Sequence, residues 1–309
     1  MRTVGIDLGG TNIKAGVVDE EGRVLERRSI PTGLSDGAGA VLDRMAGLAR
    51  DLGLDGTVGV GSPGLIDHAG GRILECPNLK DLQEVPMRDE LARRLGLPSS
   101  GVALENDANV AALGEHWLGS GRGVDDVLVV TLGTGVGGGL VLGGRLYSGP
   151  GGMAGEVGHV VVDPRGPRCG CGRLGCLETL ASATAASKRA AEKHLPREAP
   201  GDLGRLAANA RLGAAAEREL LVEIGRDLGR GLGAVLSLLD LRTFVLGGGF
   251  GAATDLLEPG VRQGLEERSY GRRIASVRIL PAGLGSDAGW IGAARHAMTR
   301  HAMIRRGSA

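Results

Sequence analysis

The sequence has few aromatic residues and no excess of charge of either sign. Aromatic residues make up 2% of the chain, so the hydrophobic core must be built from Val, Leu, Ile and Ala. Lys and Arg number 36 and Asp and Glu also number 36, which gives a net charge of zero. Proteins that bind nucleic acid by neutralising phosphates normally carry a basic excess, so the composition argues against a nucleic-acid partner.

Signals for secretion, for membrane insertion and for one common nucleotide-binding loop are also missing. Asp7 interrupts the apolar start, and no signal-peptidase site follows it. The uncharged stretch over residues 127–144 is rich in glycine, so it predicts two strands around a turn rather than a membrane-spanning helix. The pattern G-x-x-x-x-G-K-[ST] does not occur, which excludes a Walker-A nucleotide-binding protein.

Glycine, by contrast, is abundant. The chain contains 57 glycines in 309 residues, and they follow no G-x-y period, so a collagen-like fold is excluded. Many glycines with few aromatic residues predict tight turns and close approaches of the backbone, as phosphate-binding loops require.

The start of the chain is repeated in its middle. Residues 6–11 (IDLGGT) and residues 130–135 (VTLGTG) each join a predicted strand to a glycine turn, and a second strand, a second hairpin and a third strand follow. The repeat predicts two domains of one topology. A surface loop is predicted over residues 195–201, which include two prolines.

The turn after the first strand has the chemistry of a phosphate-binding loop. Its glycines let backbone N–H groups approach phosphate oxygens, and Thr11 adds a hydroxyl donor. Asp7 at the strand end suits the water shell of Mg²⁺, and Lys14 lies just past the turn. An ordinary Gly-Gly hairpin is the simpler interpretation of this motif alone. Its repetition at residues 133–135 favours the functional interpretation.

Two glycine patterns resemble the dinucleotide-binding fingerprint. Residues 133–138 match G-x-G-x-x-G, but a strand rather than the required helix is predicted after them. Gly247, Gly249 and Ala252 match the variant G-x-G-x-x-A, with a predicted helix behind them. The second match leaves a Rossmann dehydrogenase open as an alternative.

A polar triplet, Glu105-Asn106-Asp107, follows a predicted strand and opens a predicted helix. An Asn-Asp pair at this place is often a plain helix cap. The alternative interpretation makes the carboxylate of Asp107 the group that accepts a proton from a hydroxyl substrate.

Three of the four cysteines lie close together, next to a histidine. His159, Cys169, Cys171 and Cys176 form a Cys₃His set, which predicts a tetrahedral zinc site with every position filled by the protein. Such a site is structural, and it can anchor a loop that presents Glu178. Four further residues have no partner in sequence and are predicted to be structural or solvated: Cys76, His68, His116 and His194.

These motifs give the chain a family resemblance. It resembles the ROK family of sugar kinases, in particular its bacterial glucokinases, from Gly5 to about Ala297. The resemblance rests on residues 7–11 (DLGGT), 105–109 (ENDAN), 132–137 (LGTGVG), 156–159 (EVGH) and 169–178 (CGCGRLGCLE).

The resemblance implies a two-lobed, actin-like α/β fold of the ribonuclease-H type, with a duplicated βββαβα core. We expect a small N-terminal lobe over residues 1–118, joined by a C-terminal helix at about 287–309. A large lobe over residues 119–286 is expected to hold the zinc loop and the nucleotide site. Repressors of the family carry an extra N-terminal DNA-binding domain, and none is predicted here because the first strand begins at residue 3.

The implied activity is transfer of the γ-phosphoryl group of ATP to the 6-hydroxyl of glucose, with catalytic Mg²⁺ and structural Zn²⁺. Other acceptors remain open: N-acetylmannosamine, N-acetylglucosamine or fructose. A sugar-sensing protein without catalysis is disfavoured because Asp107 is present. The enzyme is expected to be a cytoplasmic dimer or tetramer without a membrane or nucleic-acid partner.

The resemblance also assigns residues to roles. Asp107 is the base, and the sugar hydroxyls are held by Asn106, Asp107, Glu156, His159 and Glu178. The ATP site is expected to be formed by Asp7, Gly9, Gly10, Thr11, Lys14, Gly133, Thr134, Gly135, Gly247, Gly248 and Gly249. Because phosphoryl transfer has a loose transition state, Asp107 is expected to need no raised pKa.

Overall fold

The computed structural model describes residues 2–76, 79–195 and 203–307. In chain order its strands are β1 (Arg2–Leu8), β2 (Asn12–Asp19), β3 (Val24–Pro31), β4 (Val58–Ser62), β5 (Leu65–Asp67), β6 (Arg72–Glu75), β7 (Val102–Asn106), β8 (Val127–Leu132), β9 (Val136–Leu142), β10 (Arg145–Leu146), β11 (Thr243–Gly247) and β12 (Arg278–Pro281). Its helices are α1 (Gly37–Asp51), α2 (Met87–Leu95), α3 (Asp107–Trp117), α4 (Glu178–Ala181), α5 (Ala183–Glu192), α6 (Gly204–Arg211), α7 (Ala215–Leu239), α8 (Gly248–Gly251), α9 (Thr254–Arg268) and α10 (Ala288–Arg305). Across the described ranges, no helix is both long enough and apolar enough to span a membrane. The loop predicted over residues 195–201 lies, from residue 196 onward, outside the described residues.

The chain forms two compact units. The first contains Met1–Arg122, Leu146–Ala154 and Ser286–Ala309, and the second contains Gly123–Arg145 and Gly155–Gly285. The C-terminal helix therefore belongs with the N-terminal part of the chain. The division expected from the sequence did not anticipate that Leu146–Ala154 groups with the first unit.

Each unit contains a five-stranded sheet, and the two sheets have the same order. The first is β3-β2-β1-β4-β7 and the second is β10-β9-β8-β11-β12. The central strand of each sheet has one antiparallel and one parallel neighbour. In the first sheet β1 pairs antiparallel with β2 and parallel with β4, and in the second β8 pairs antiparallel with β9 and parallel with β11. The two sheets confirm the duplicated core that the repeat predicted.

The core of the first unit is mainly aliphatic. Val4, Ile6 and Leu8 of β1 are buried, and so are Val41 and Met45 on the inner face of α1. The helical spacing in α1 is the one expected from the sequence, whereas Thr3 and Gly5 are buried too, so β1 is covered on both faces. With so few aromatic residues, the core depends on close packing of small side chains.

Helix α10 lies against the sheet of the first unit with almost no space between the backbones. A Cβ atom on Gly5 would lie 1.8 Å from the carbonyl oxygen of Trp290, and one on Gly59 would lie 1.8 Å from that of Ala293. On the other side of the helix, a Cβ on Gly292 would lie 1.6 Å from the carbonyl oxygen of Val110 in α3. These glycines are needed for helix packing, which the sequence analysis did not consider.

The second unit uses glycine in the same way between α7 and α9. A Cβ on Gly225 would lie 2.2 Å from the carbonyl oxygen of Leu257, and one on Gly229 would lie 2.1 Å from that of Val261. A Cβ on Gly260 would in turn lie 1.9 Å from a carbonyl oxygen of α7. The two helices run in the same direction and touch along a seam of glycines. The abundance of glycine thus has a structural cause in addition to the predicted loops.

Candidate active site

The predicted phosphate turn of the first unit joins β1 to β2. The N–H of Gly9 donates to the carbonyl oxygen of Asn12 at 3.0 Å, and the hydroxyl of Thr32 donates to the carbonyl oxygen of Gly9 at 2.7 Å. Gly10 and Thr11 are exposed at the tip. A Cβ on Gly10 would meet no atom of the described residues within 4 Å. The tip therefore leaves room for a ligand to approach the backbone.

Asp7 and Lys14 face each other across the β1–β2 ladder, next to this turn. Burial and the charge of Asp107 raise the pKa of Asp7 to about 6, and Lys14 acts in the opposite direction. A Cβ on Gly289, in the first turn of α10, would lie 2.8 Å from the carboxyl carbon of Asp7. Gly289 thus provides the space that the Asp7 carboxylate occupies, a role that its position in the sequence did not reveal.

Asn106 is the N-cap of α3, so the cap interpretation of the Asn-Asp pair is correct for Asn106. Its Oδ1 accepts from the N–H groups of Ala108 at 2.9 Å and Asn109 at 3.2 Å. Its Nδ2 donates to the carbonyl oxygen of Gly64 at 3.1 Å. Asn106 thus connects the start of α3 to the loop that carries Gly64.

Asp107 is the first residue of α3 and is partly buried. Its Oδ1 accepts from the N–H of Ala108 at 2.8 Å, which fixes the carboxylate at the helix N-terminus. Burial raises the pKa of Asp107, while the backbone N–H groups and Asn106 oppose that shift. The sequence analysis expected the reaction to need no raised pKa, and the sequence alone does not report how far this carboxylate is removed from water.

Glu105 and His68 were missed by the sequence analysis. Nε2 of His68 lies 2.9 Å from Oε2 of Glu105, a buried carboxylate immediately before the Asn-Asp pair. His68 was predicted to be structural or solvated because it has no partner near it in sequence, and its partner in the fold is Glu105. The two residues are far apart in sequence, so only the folded chain reveals the pair.

The predicted turn of the second unit joins β8 to β9. The N–H of Gly133 donates to the carbonyl oxygen of Gly135 at 3.0 Å. The strand β9 follows directly, as predicted, so this glycine pattern is not a dinucleotide fingerprint. The turn is fixed by Glu178, whose Oε2 accepts from the N–H of Val136 at 3.2 Å. A Cβ on Gly135 would lie 2.3 Å from that same oxygen, so this glycine makes room for the Glu178 carboxylate.

The third glycine loop lies beside this turn. Gly247 ends β11 and Gly248 begins the short helix α8. Gly248 has a positive φ of 76°, and a Cβ there would lie 2.4 Å from the carbonyl oxygen of Leu132, the last residue of β8. A Cβ on Gly133 or Gly249 would contact nothing within 4 Å in the described parts of the chain. The second unit thus brings two glycine loops together at the ends of neighbouring parallel strands.

The four predicted zinc ligands form a cluster in the second unit. Their ligand atoms, from His159, Cys169, Cys171 and Cys176, all lie within 4.8 Å of one another. Sγ of Cys169 is 3.6 Å from Nδ1 of His159, and Sγ of Cys171 is 3.6 Å from Sγ of Cys176. Zn–S bonds of about 2.3 Å in a tetrahedron place two sulfurs about 3.8 Å apart. The spacing of the side chains therefore fits one ion.

Two carboxylates border this cluster. Nε2 of His159 faces Oε2 of Glu156 at 3.9 Å, while Nδ1 of the same ring faces Cys169. Oε1 of Glu178 lies 3.9 Å from Sγ of Cys169, and its Oε2 holds the Gly133 turn. Within the second unit, Glu178 is therefore in contact with both the cysteine cluster and a glycine turn.

Comparison with known proteins agrees with this geometry. A family model described as ROK family matches residues 3–300. The glucokinase of Thermotoga maritima is 36% identical, and the match covers 95% of this chain and 96% of that protein. An N-acetylmannosamine kinase of Escherichia coli is 34% identical, covering 95% of this chain and 97% of that protein. The crystal structure of a ROK family glucokinase from Streptomyces griseus in complex with glucose and AMPPNP matches with a TM-score of 0.80 and 36% identity, and it covers 97% of this chain and 100% of that chain.

Proposed function

Because the chain belongs to the ROK family, we propose that it transfers the γ-phosphoryl group of ATP to the 6-hydroxyl group of glucose. The family assignment confirms the resemblance inferred from the motifs, together with the expected actin-like α/β fold class. The family assignment also argues against the dehydrogenase alternative. The local geometry alone does not exclude that alternative, because Gly247, Gly249 and Ala252 lie between two parallel strands, β11 and β12.

The single observation that carries this proposal is the state of Asp107. One carboxylate oxygen accepts the N–H of Ala108, so the other remains for a sugar hydroxyl. The raised pKa makes Asp107 a better proton acceptor than an exposed aspartate once it is ionised. In this proposal Asp107 orients the 6-hydroxyl and accepts its proton as the phosphoryl group is transferred.

The sugar-binding groups are proposed on the family resemblance. We assign them to Asn106, Glu156, His159 and Glu178, in addition to Asp107. Nδ1 of His159 faces Cys169, so Nε2 of the same ring is the nitrogen left for a sugar hydroxyl. Such groups suit a substrate that offers a hydroxyl on each ring carbon, because every hydroxyl can both donate and accept.

The nucleotide is assigned to the glycine loops. Gly10, Gly133 and Gly249 border open space in the parts of the chain that the structure describes, so phosphate oxygens can reach the backbone N–H groups. The full proposed set is Asp7, Gly9, Gly10, Thr11, Lys14, Gly133, Thr134, Gly135, Gly247, Gly248 and Gly249.

Mg²⁺ fits the carboxylate at the end of β1. Oxygen ligands are what this ion prefers, and it usually keeps several waters in its shell. Burial and, after it, the negative charge of Asp107 raise the pKa of Asp7, so a divalent cation near the two carboxylates would favour the ionised form. We propose that Asp7 orients the waters of a Mg²⁺ that neutralises the phosphates of ATP.

Zn²⁺ fits the Cys₃His cluster. Burial and the neighbouring thiols raise the pKa of Cys176 to about 12, so these thiols need a cation to be held as thiolates. We propose a structural zinc that fixes the loop carrying His159 and Glu178. With four protein ligands, the ion has no open position and takes no part in the chemistry.

Assembly and location are proposed on the resemblance alone. We propose a cytoplasmic homo-oligomer, a dimer or a tetramer, with the small lobe over residues 1–118 joined by 287–309 and the large lobe over residues 119–286.

The proposal is tested by measuring kcat/KM for glucose, mannose, fructose, N-acetylmannosamine and N-acetylglucosamine at one ATP concentration. We expect glucose to be preferred. A pocket matched to free hydroxyls leaves polar groups unpaired when carbon 2 carries an N-acetyl group, which can produce discrimination of about 10⁴.

A second candidate, N-acetylmannosamine kinase, is supported by the relative that is 34% identical. Equal or faster turnover of either N-acetyl sugar would overturn the preference for glucose and leave the kinase assignment standing, and N-acetylmannosamine as the better substrate would establish the second candidate. No turnover of any of the five sugars would remove the kinase assignment as well.

A further inference from the structure

The carboxylate of Glu105 receives four hydrogen bonds although it lies in the protein interior. Its side chain is 2% exposed. Oε1 accepts from the backbone N–H of Asn106 at 2.8 Å and from Nδ2 of Asn109 at 3.0 Å. Oε2 lies 2.9 Å from Nε2 of His68 and accepts from the hydroxyl of Ser148 at 3.3 Å. Both oxygens are therefore saturated by donors from three separate parts of the first unit.

The donors on Oε1 define the junction between β7 and α3. Asn106 is held by Glu105 through its backbone and by Gly64 through its side chain. Asn109 donates to Glu105 through Nδ2, while its buried Oδ1 has no hydrogen-bond partner among the described residues. An unpaired buried amide oxygen is unfavourable. Because Oδ1 has no partner that could orient the amide, the bond from Nδ2 to Glu105 sets the orientation of Asn109.

The donors on Oε2 connect this junction to two loops. His68 follows β5, and its own carbonyl oxygen accepts from Nη1 of Arg88 at 2.9 Å. Ser148 belongs to the segment Leu146–Ala154, and the N–H of Ala154 donates to its carbonyl oxygen at 3.0 Å. His68 is thus fixed at both ends, by Arg88 through the backbone and by Glu105 through the ring.

The charges around the pair favour an ionised Glu105. Burial would raise the pKa of Glu105, but the hydrogen bond from His68 and the nearby His296 lower it to about 2. The bond to Glu105 raises the pKa of His68; burial and Arg300 oppose that shift, and Asp67 adds to it. His296 itself is held towards its neutral form by burial.

We propose that Glu105 and His68 are positioning residues that hold the Asn106–Asp107 turn in its catalytic orientation. The pair touches neither substrate nor nucleotide in this proposal and acts through the backbone of Asn106. The inference rests on the proposed function, in which Asp107 is the base. A misplacement of a catalytic group by about 1 Å can cost on the order of 10²-fold in rate, so the rigidity of this junction matters for kcat.

The decisive variants change hydrogen bonding with little change of shape. In Glu105→Gln, the amide nitrogen must face one of the two donor pairs, so one pair loses its acceptor. His68→Gln keeps a donor near the position of Nε2, whereas His68→Leu removes it. Glu115→Gln is the matched control, because Glu115 is 1% exposed and lies on α3 near the end opposite to Asp107.

The readouts are kcat, KM for glucose and for ATP, thermal unfolding, and the pKa of His68 followed by NMR. For Glu105→Gln and His68→Leu we expect kcat to fall by about tenfold, with KM for ATP unchanged and the fold retained. His68→Gln should recover most of kcat, and Glu115→Gln should keep it. The pKa of His68 should fall in Glu105→Gln.

Several results would overturn the inference. These are kcat within a factor of two of wild type in both Glu105→Gln and His68→Leu, an equal loss in Glu115→Gln, or no recovery in His68→Gln. If Glu105→Gln does not fold, the two His68 variants decide by themselves. A wild-type enzyme that phosphorylates none of the five sugars would instead remove the proposed function, and an Asp107→Asn variant as active as wild type would remove Asp107 as the base, so these failures are distinguishable from that of the inference.

Discussion

The two units share one sheet order but differ in the residues that lie at the ends of equivalent strands. In the first unit, β1 and β7 end at carboxylates, Asp7 and the Glu105–Asp107 triplet. In the second unit, the equivalent of Asp7 in the repeat is Thr131, and the equivalent of β7 in the sheet order is β12, which ends at Pro281. Both units carry a glycine turn after the strand that begins the repeat, but only the first unit adds acidic groups at these strand ends.

The difference corresponds to two chemical tasks. Carboxylates bind cations and accept protons, whereas exposed N–H groups bind phosphate oxygens without adding negative charge. The acids of the first unit also repel each other, as the raised pKa of Asp7 indicates. The following predictions test whether the two kinds of strand end have separate roles.

The largest effect is expected for Asp107→Asn. The variant keeps the size of the side chain and an acceptor for Ala108, so the fold should be retained. Loss of the base should lower kcat by on the order of 10²-fold or more. A coupled assay of glucose phosphorylation and a circular dichroism spectrum provide the measurement. Activity within a few-fold of wild type would refute the role of Asp107.

The next effect is expected for Cys171→Ser in the second unit. We expect one zinc per chain in the wild type and loss of the metal in the variant, because a closed thiolate site couples metal binding to folding. Tm should fall and KM for glucose should rise by about tenfold. Without the metal, its ligand His159 and the loop that carries Glu178 lose their fixed positions. Metal analysis of an unchelated sample, with Cys76→Ser as the control, tests this. A wild-type sample without zinc would contradict it.

A smaller effect is expected for Gly289→Ala, which adds one methyl group beside Asp7. The new Cβ would lie 2.8 Å from the carboxyl carbon, so Asp7 must move. We expect kcat to fall several-fold and more Mg²⁺ to be needed for half-maximal rate. Gly39→Ala is the control, because a Cβ there meets no described atom within 4 Å. Equal Mg²⁺ requirements in both variants would argue against a role for Asp7.

The smallest effect concerns stability and pH. The pKa of Asp7 is raised from 3.8 to about 6, so its contribution to stability is complete below pH 3.8 and is lost as pH rises through about 6. Asp7→Asn should therefore be more stable than wild type near pH 8, by about 2–3 kcal/mol at most, and not at about pH 4. Urea unfolding without Mg²⁺ tests this. A variant less stable than wild type at both pH values would contradict the repulsion between the carboxylates.

The sequence predicts the local parts of this account well. The glycine turns, the hairpins β1–β2 and β8–β9 and the Cys₃His spacing depend on residues close together in the chain. The Asn106 cap is likewise a contact between neighbouring residues. Patterns of this kind can be recognised because the same residues that form the motif also form the contacts.

Contacts between distant residues could not be predicted in the same way. His68 meets Glu105, Glu178 meets Gly135, and Gly289 meets Asp7 only after the strands and helices pack. The glycines beneath α10 lie in strands, and the sequence does not reveal which helix approaches them. Residues such as Gly5 and Gly59 therefore gained a packing role only from the structure.

The comparison between the units is tested most directly by the affinity of AMPPNP for two variants, measured by calorimetry. Gly248→Ala adds a Cβ 2.4 Å from the carbonyl oxygen of Leu132 at a residue with positive φ, so it should distort the glycine loops of the second unit. We predict at least tenfold weaker binding to Gly248→Ala, and equal or tighter binding to Asp107→Asn, which removes a negative charge from the first unit. Unchanged binding to Gly248→Ala together with weaker binding to Asp107→Asn would contradict the assignment of the nucleotide to the glycine loops of the second unit and of proton acceptance to Asp107.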